Sequence, residues 1–440
     1  MTKKIVRIFL LAAVLVQLVA SCHINQRETP RTGKDTNTFP DYLEQPKQKV
    51  MIFISAGFNN LSTYLKEDIQ DMMKGYLPAK NGTEALFVIA KHTNGNLTIP
   101  TSPCLIRLYR NVTGIAVADT VYKMEPGTIL ANPVTVKTFL MYIQENYPSP
   151  HYGLVISSHG NGWLPAGYYD NPGGFDGSIR RSVRRVAGSP FFEFEEPDRP
   201  LTKTLLQETY YESSKKLSTE VEVADLAAAI PMHLDYFLID ACLMGCVEVA
   251  YAFKDKTDCI GFSQAEVMAD GFDYAKLASR LLEEPEPNSL AVCSDFLEQY
   301  LDPNVSMPSA TISLVSSAAL PALASVCKEL ISKYRTEIEA LNWNEVQNFG
   351  GTKHWFFDLE DIFVKAGLPE DKLRTLSAAL DDCVLYKGDT GQYYSVTNSM
   401  LNDIDAFCGL TMFLPQGGSE YLKEKYQLLD WNKDTQLINN

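Results

Sequence analysis

Short runs of β-branched and aromatic residues recur along the first 263 positions with helical patterns between them, and no other feature restricts the fold as much. A strand apolar at nearly every position is buried on both faces, and strands separated by helical crossovers lie parallel. The pattern predicts strands over Val50–Ser55, Ala85–Lys91, Leu105–Tyr109, Gly153–Ser157, Asp235–Asp240 and Cys259–Ser263. Helices are expected near Leu61–Gly75, Val134–Asn146, Val223–Ile230 and Met244–Phe253. The run Tyr236-Phe237-Leu238-Ile239 belongs at the centre of the sheet. The fold class is therefore α/β, a mainly parallel sheet with helices on both faces. Beyond about Pro303 come a strand over Ala310–Val315, helical patterns through Tyr334 and from Pro369 to Leu385, and a last strand over Gly409–Leu414. These divide the chain into a main domain, 48–302, and a C-terminal α+β subdomain, 303–440. From Leu164 to Glu220 the pattern lapses into Gly, Pro, Arg and acids, including Asn171-Pro172-Gly173-Gly174, and reads as a long structureless insertion.

With 45% hydrophobic and 21% charged residues the composition is that of a folded globular chain. Thirty-nine basic residues against 54 acidic ones give a net charge of −15, and past the N-terminus no basic run exceeds two residues. Nucleic acid is excluded as a partner on that ground. The N-terminus has the form of an export signal: Lys3, Lys4 and Arg7 precede an apolar stretch, Ile8–Ser21, too short to cross a bilayer. It ends in Val19-Ala20-Ser21-Cys22, the pattern of a bacterial lipobox. Residues 1–21 are then a signal peptide, Cys22 carries the lipid, and the polar stretch 22–47 is a flexible tether. The expectation is an exported protein anchored to a membrane through that lipid, on the periplasmic face or the cell surface.

The remaining eight cysteines lie mostly in apolar contexts such as Val326-Cys327 and Phe407-Cys408-Gly409, where a buried thiol is the default. Cys242 and Cys246 have no second pair to complete a zinc site. Asp430, Asn432 and Asp434 imitate the start of a calcium loop, but Thr435 stands where its glycine is needed. Two strand ends carry the chemistry. One is Ser157-Ser158-His159-Gly160-Asn161-Gly162-Trp163, the other Ile239-Asp240-Ala241-Cys242-Leu243-Met244-Gly245. Each places a reactive side chain just past the C-terminal end of a buried parallel strand, where open α/β sheets bind ligands. On neighbouring strands His159 and Cys242 face each other, and the imidazole activates the thiol. A helix starting near Met244 would stabilise the thiolate further. Gly160, having no Cβ, lets its N–H approach a substrate carbonyl and form an oxyanion hole with the Cys242 N–H. A lone strand-end histidine or cysteine is usually packing; two in one sheet, each among small residues, favour a site.

These two strings resemble the caspase-like cysteine peptidases, and within them the clostripain family. Ala56-Gly57-Phe58-Asn59-Asn60-Leu61, Asn132-Pro133, Ser263-Gln264-Ala265-Glu266 and Gly409-Leu410-Thr411-Met412-Phe413-Leu414-Pro415 resemble that family as well, so the likeness spans about 48–415. It implies a caspase-like three-layer α/β/α sandwich and an endopeptidase with Cys242 as nucleophile, His159 as acid/base, and Gly160 with the Cys242 amide as oxyanion site. It further implies protein or peptide substrates with Arg or Lys before the scissile bond, and Asp240 at the base of the pocket that receives them. A second acid, Asp270 or Glu266, assists in some members. Phe58 departs from the pattern, which often has Asp there. Some members need calcium and others do not, which leaves that cofactor open. The interval between His159 and Cys242 holds the family's self-processing site or a lid, and Arg180, Arg181, Arg184 and Arg185 match the expected cleavage preference. The alternative is an inactive lipoprotein that uses the same scaffold to bind peptides or glycans.

Overall fold

The computed structural model describes residues 46–173, 183–185, 192–195, 206–212 and 215–439. The expected leader, Cys22, and residues 22–45 of the tether lie outside the described residues, as do Arg180 and Arg181. Where description begins, Lys47 is already buried, its Nζ donating to Gly82 O at 2.7 Å.

The expected strands form except the last, Gly409–Leu414, of which only Thr411–Met412 is strand, paired with Phe357–Asp358. β1 (Lys49–Gly57), β2 (Glu84–His92), β3 (Cys104–Arg110), β4 (Ala116–Lys123) and β5 (His151–Ser157) come first. A small four-stranded antiparallel sheet follows: β6 (Val183–Arg185), β7 (Phe192–Glu195), β8 (Glu208–Glu212) and β9 (Lys215–Glu220). Then come β10 (Tyr236–Asp240), β11 (Cys259–Phe262), β12 (Thr311–Ser316), the two-residue β13 (Phe357–Asp358) and β14 (Val384–Asp389). Nine of them form one sheet in the order β14-β12-β11-β10-β5-β1-β2-β3-β4. Its five central strands are parallel; β3 and β4 on one side and β12 and β14 on the other are joined through antiparallel pairings. Met51, Ile52, Phe53 and Ile54 are all fully buried although neighbours point to opposite faces, so both faces are covered. Residues after 303 continue this same sheet through β12 and β14.

Helix α1 (Ser62–Lys74) buries Ser62, Leu65, Asp68, Ile69 and Met72, a single stripe at helical spacing that includes one acid. Helix α2 (Pro133–Asn146) begins where Asn132 accepts from the Val134 N–H and Pro133 takes the first turn. Helix α3 (Val223–Ala229) packs against α2. Helix α4 departs from expectation, spanning only Val247–Ala252 rather than starting at Met244. The turn after Cys242 is instead occupied with bonds to the loop after β11: Leu243 N–H donates to Ala265 O at 2.9 Å and Gly245 N–H to Ser263 O at 2.6 Å. Two further helices, α5 (Tyr274–Ala278) and α6 (Ser289–Leu301), follow that loop.

The described parts of the interval 164–220 are not the structureless stretch expected. Leu164, Ala166, Tyr168 and Tyr169 are buried, and Leu206–Thr209 is buried too. Thr209 N–H donates to Phe58 O at 2.8 Å, Asn59 Nδ2 to Gln207 O at 2.8 Å, and Leu206 N–H to Ser158 Oγ at 3.0 Å. Arg184 and Arg185, expected in an exposed loop, have backbones in β6, paired with Glu193 and Phe192 of β7. The stretch mimicking a calcium loop is helical over Asp430–Thr435.

Candidate active site

Parallel pairing of β5 with β10 sets Ser157 opposite Asp240, so His159 and Cys242 each stand two residues beyond a paired position on adjacent strands. The register thus sets the ends of the two strings side by side, as the sequence implied. Ser158 N–H continues the ladder to Asp240 O at 3.4 Å. Gly160 lies directly on the other strand end: a Cβ there would come within 2.6 Å of Cys242 O and 2.8 Å of Ala241 Cβ. Its lack of a side chain therefore serves contact between the two strand ends, a constraint additional to the substrate approach expected of it. Gly162, at φ +62°, does the same one step on, against Leu243 O and Phe356.

Cys242 is 4% exposed and His159 1%. The Val267 N–H, from the loop after β11, donates to Cys242 Sγ at 2.9 Å. The thiol in turn donates to Val267 O at 3.7 Å, so the Val267 peptide, rather than a helix N-terminus, holds the sulfur in place. Asn60, in the turn after β1, has Oδ1 2.6 Å from His159 Nε2. An amide oxygen accepts, so this contact places the ring proton on Nε2 and leaves Nδ1 as the nitrogen with a lone pair for a thiol proton. Asn60 was visible only as part of a motif; nothing in its position along the chain assigned it to the imidazole.

Asp240 is 6% exposed. Its Oδ2 accepts from Tyr274 Oη at 2.6 Å and Ser157 Oγ at 3.2 Å, and Gly271, at φ +58°, presses so closely that a Cβ would sit 2.0 Å from that oxygen. The two other acids separate in space. Asp270 is exposed and shares with Asp68 and Tyr274 the lining of a cavity of about 190 Å³ beside Asp240. Glu266 is buried and holds a hairpin, accepting from Ser395 Oγ at 3.1 Å and Val396 N–H at 2.9 Å. Tyr169 is buried near this end of the site. Burial first, then the charges of Glu266 and Cys242, push its hydroxyl well above the ordinary tyrosine range, so it is an uncharged donor. Burial likewise raises Asp68 to about 9, with Asp240, Asp71 and Asp270 adding to the effect. Sequence reasoning assigned no role to Asp68 or Tyr169; the signal for Asp68 was an acid in line with Leu65, Ile69 and Met72.

A family model described as the clostripain family matches residues 53–178 and 210–438. Clostripain of Hathewaya histolytica is 26% identical over 275 residues, a match covering 58% of this chain and 44% of that protein, so the chain spans less than half the length of this curated relative. An inactive zymogen C11 protease from Parabacteroides distasonis superposes with a TM-score of 0.69 at 22% identity, over 89% of this chain and 99% of that one. A secreted C11 cysteine protease from Bacteroides thetaiotaomicron gives 0.68 at 22% identity, over 89% and 100%. These structures share the three-layer α/β/α fold built on a mostly parallel sheet. Matched on both sides of the interval that separates His159 from Cys242, and over most of its length, this chain belongs to the clostripain family.

Proposed function

We propose that the protein is a cysteine endopeptidase that cuts after Arg or Lys, with Cys242 as nucleophile and His159 as general acid and base. The observation that carries this reading is the pair of supporting hydrogen bonds at two adjoining strand ends, Asn60 on the His159 ring and the Val267 amide on the Cys242 sulfur. In the first half-reaction His159 accepts the thiol proton at Nδ1 and Sγ attacks the scissile carbonyl carbon. The displaced electron pair resides on oxygen, received by the Gly160 and Cys242 amides. Collapse expels the amine, which takes its proton from His159 and leaves a thioester. Water, deprotonated by His159, then attacks the thioester carbonyl, and the thiol is released. Asp240 stands at the base of the pocket for the basic side chain, with Asp270 beside it. The described residues hold no group of three or more His, Cys, Asp or Glu arranged around a metal.

The leader pattern ending at Cys22 supports export and a lipid anchor on the membrane. The arginines at 180, 181, 184 and 185 fit self-cleavage by an enzyme with this preference, and a structural relative described as an inactive zymogen is consistent with such a step. To cut after Arg184 or Arg185 the strand β6 must leave its pairing with β7.

The test uses the full chain, Cys242→Ala and His159→Ala. Hydrolysis after Arg and Lys should be lost in both variants, iodoacetamide should label Cys242 in the parent, and N-terminal sequencing should find a new terminus within 164–220 in the parent alone. Turnover by either variant rules out the dyad. A parent that binds peptides, hydrolyses none and leaves Cys242 unlabelled is the inactive binding protein instead.

A further inference from the structure

The cavity of about 190 Å³ between α1 and the loop after β11 has five carboxylates in its wall: Glu67, Asp68 and Asp71 from one face of α1, and Asp270 and Asp273 from the loop. No Lys or Arg is among its lining residues. Tyr274 joins this cavity to the pocket assigned above, since it lines the one and donates its hydroxyl to Asp240 at 2.6 Å. Asp68 is the member that ordinary surface solvation does not explain. It is 6% exposed, on the inward stripe of α1 between Leu65 and Met72, and its Oδ2 is buried with no hydrogen-bond partner among the described residues. A buried carboxylate oxygen without a donor is costly unless something arrives to pair with it.

We propose that Asp68 is a second carboxylate of the pocket for the substrate's basic side chain, facing the cationic end from α1 while Asp240 faces it from β10, and that it yields one proton to solvent as that side chain enters. The inference rests on the cleavage preference proposed above. An entering guanidinium or ammonium replaces the proton, so one positive charge goes in and one comes out. A divalent metal is a poorer fit, because the described residues are not arranged as a set of three or more ligands around one point.

The surroundings agree with a carboxyl that is neutral while the pocket is empty. Groups facing Asp68 are Glu67 and Asp71 on its own helix, Asp240 from β10, Asp270 from the loop, Tyr274 on α5 and Tyr300 on α6. None of them is a cation, and Lys276 of α5 is engaged with Asp273 at 3.1 Å and Asp295 at 3.5 Å. Burial and these acids raise Asp68 to about 9, and an arriving cation reverses the second of those causes.

The experiment is calorimetric titration of the full-length Cys242→Ala chain at pH 7 with an acetylated peptide amide ending in arginine, in buffers of different ionisation enthalpy. The same peptide ending in norleucine is the control. About one proton should be released per arginine peptide bound and none with norleucine. Adding Asp68→Asn should abolish the release and weaken arginine-peptide binding at least tenfold, while norleucine-peptide binding stays within twofold. Binding of the arginine peptide without proton release overturns the proposal, and that measurement needs no change at Asp68. Unchanged affinity and unchanged release in Asp68→Asn overturn it as well. If arginine and norleucine peptides bind alike, the preference for basic residues itself fails, a result distinct from the loss of Asp68 alone.

Discussion

Asn60 and Gly160 show how far a residue's type announces its task. The glycine was recognisable as a place where the backbone needs room, yet the neighbour it makes room for is the Ala241–Cys242 peptide, which no local pattern names. Asn60 carries no signal of its own, because the histidine it meets is 99 residues away and only the β1–β5 pairing brings them together. A short amide in a turn normally serves its own backbone; this one fixes an imidazole. Replacing Asn60 by Ala should lower kcat/KM on an arginine substrate about 10- to 100-fold through loss of ring orientation. Asn60→Asp keeps an acceptor but adds a negative charge beside the ring. That charge favours imidazolium and should move the acidic limb of the kcat/KM profile to higher pH. A profile that does not move in Asn60→Asp, with full activity in Asn60→Ala, would remove Asn60 from the site.

Strand β8 is the element whose placement the residues least foretold. It lies in a stretch of mixed polarity, and its anchor is a buried ion pair between Lys91 Nζ and Glu208 Oε2 at 2.5 Å, the two side chains 3% and 1% exposed. Glu208 Oε1 also accepts from Leu130 N–H and from Ala131 N–H, the latter at 3.0 Å, and Lys91 sits 4.5 Å from the centre of the Phe58 ring. Phe58 thus lies over a lysine that is paired with an acid supplied from β8. Removing one partner strands a buried charge, so Lys91→Met should destabilise the fold by about 3–5 kcal/mol in urea unfolding. Lys91→Met combined with Glu208→Gln should recover most of that loss, because glutamine keeps an acceptor for the amides and carries no charge. Equal losses in the single and double variants would show that packing around Lys91, not its charge, is what matters. Edge strands escaped notice for a related reason: β4, Ala116–Lys123, is half exposed along its length and lacks the apolar run that marks β1 or β10.

Taken together, the buried acids tie the pocket to the stability of the fold. The folded-state value of Asp68, about 9, lies far above that of an unfolded aspartate, so between those two values the folded chain holds a proton that the unfolded chain has lost. Stability from this group is full at acid pH and declines as pH rises toward 9. Glu248, raised by burial to about 7, acts in the same direction at lower pH, while His92, lowered by burial to about 3, opposes it below the usual histidine range. From pH 6.5 to 8 the thermal midpoint should therefore fall, and Asp68→Asn should flatten that fall and raise the midpoint at pH 8, the opposite of its effect on binding. An equal fall in both proteins would mean that Asp68 is ionised in the free fold. Much of the architecture followed from local pattern: uniformly apolar runs cannot be exposed on either face, so a two-sided parallel sheet was the one arrangement open to them, and the two reactive strings had to lie at strand ends. The rest depended on strand order. Asn60, Val267, Asp68 and Gly271 act at the site through pairings between segments far apart in the chain, and a hydrogen bond or a buried charge acquires its meaning from the partner that folding sets opposite it.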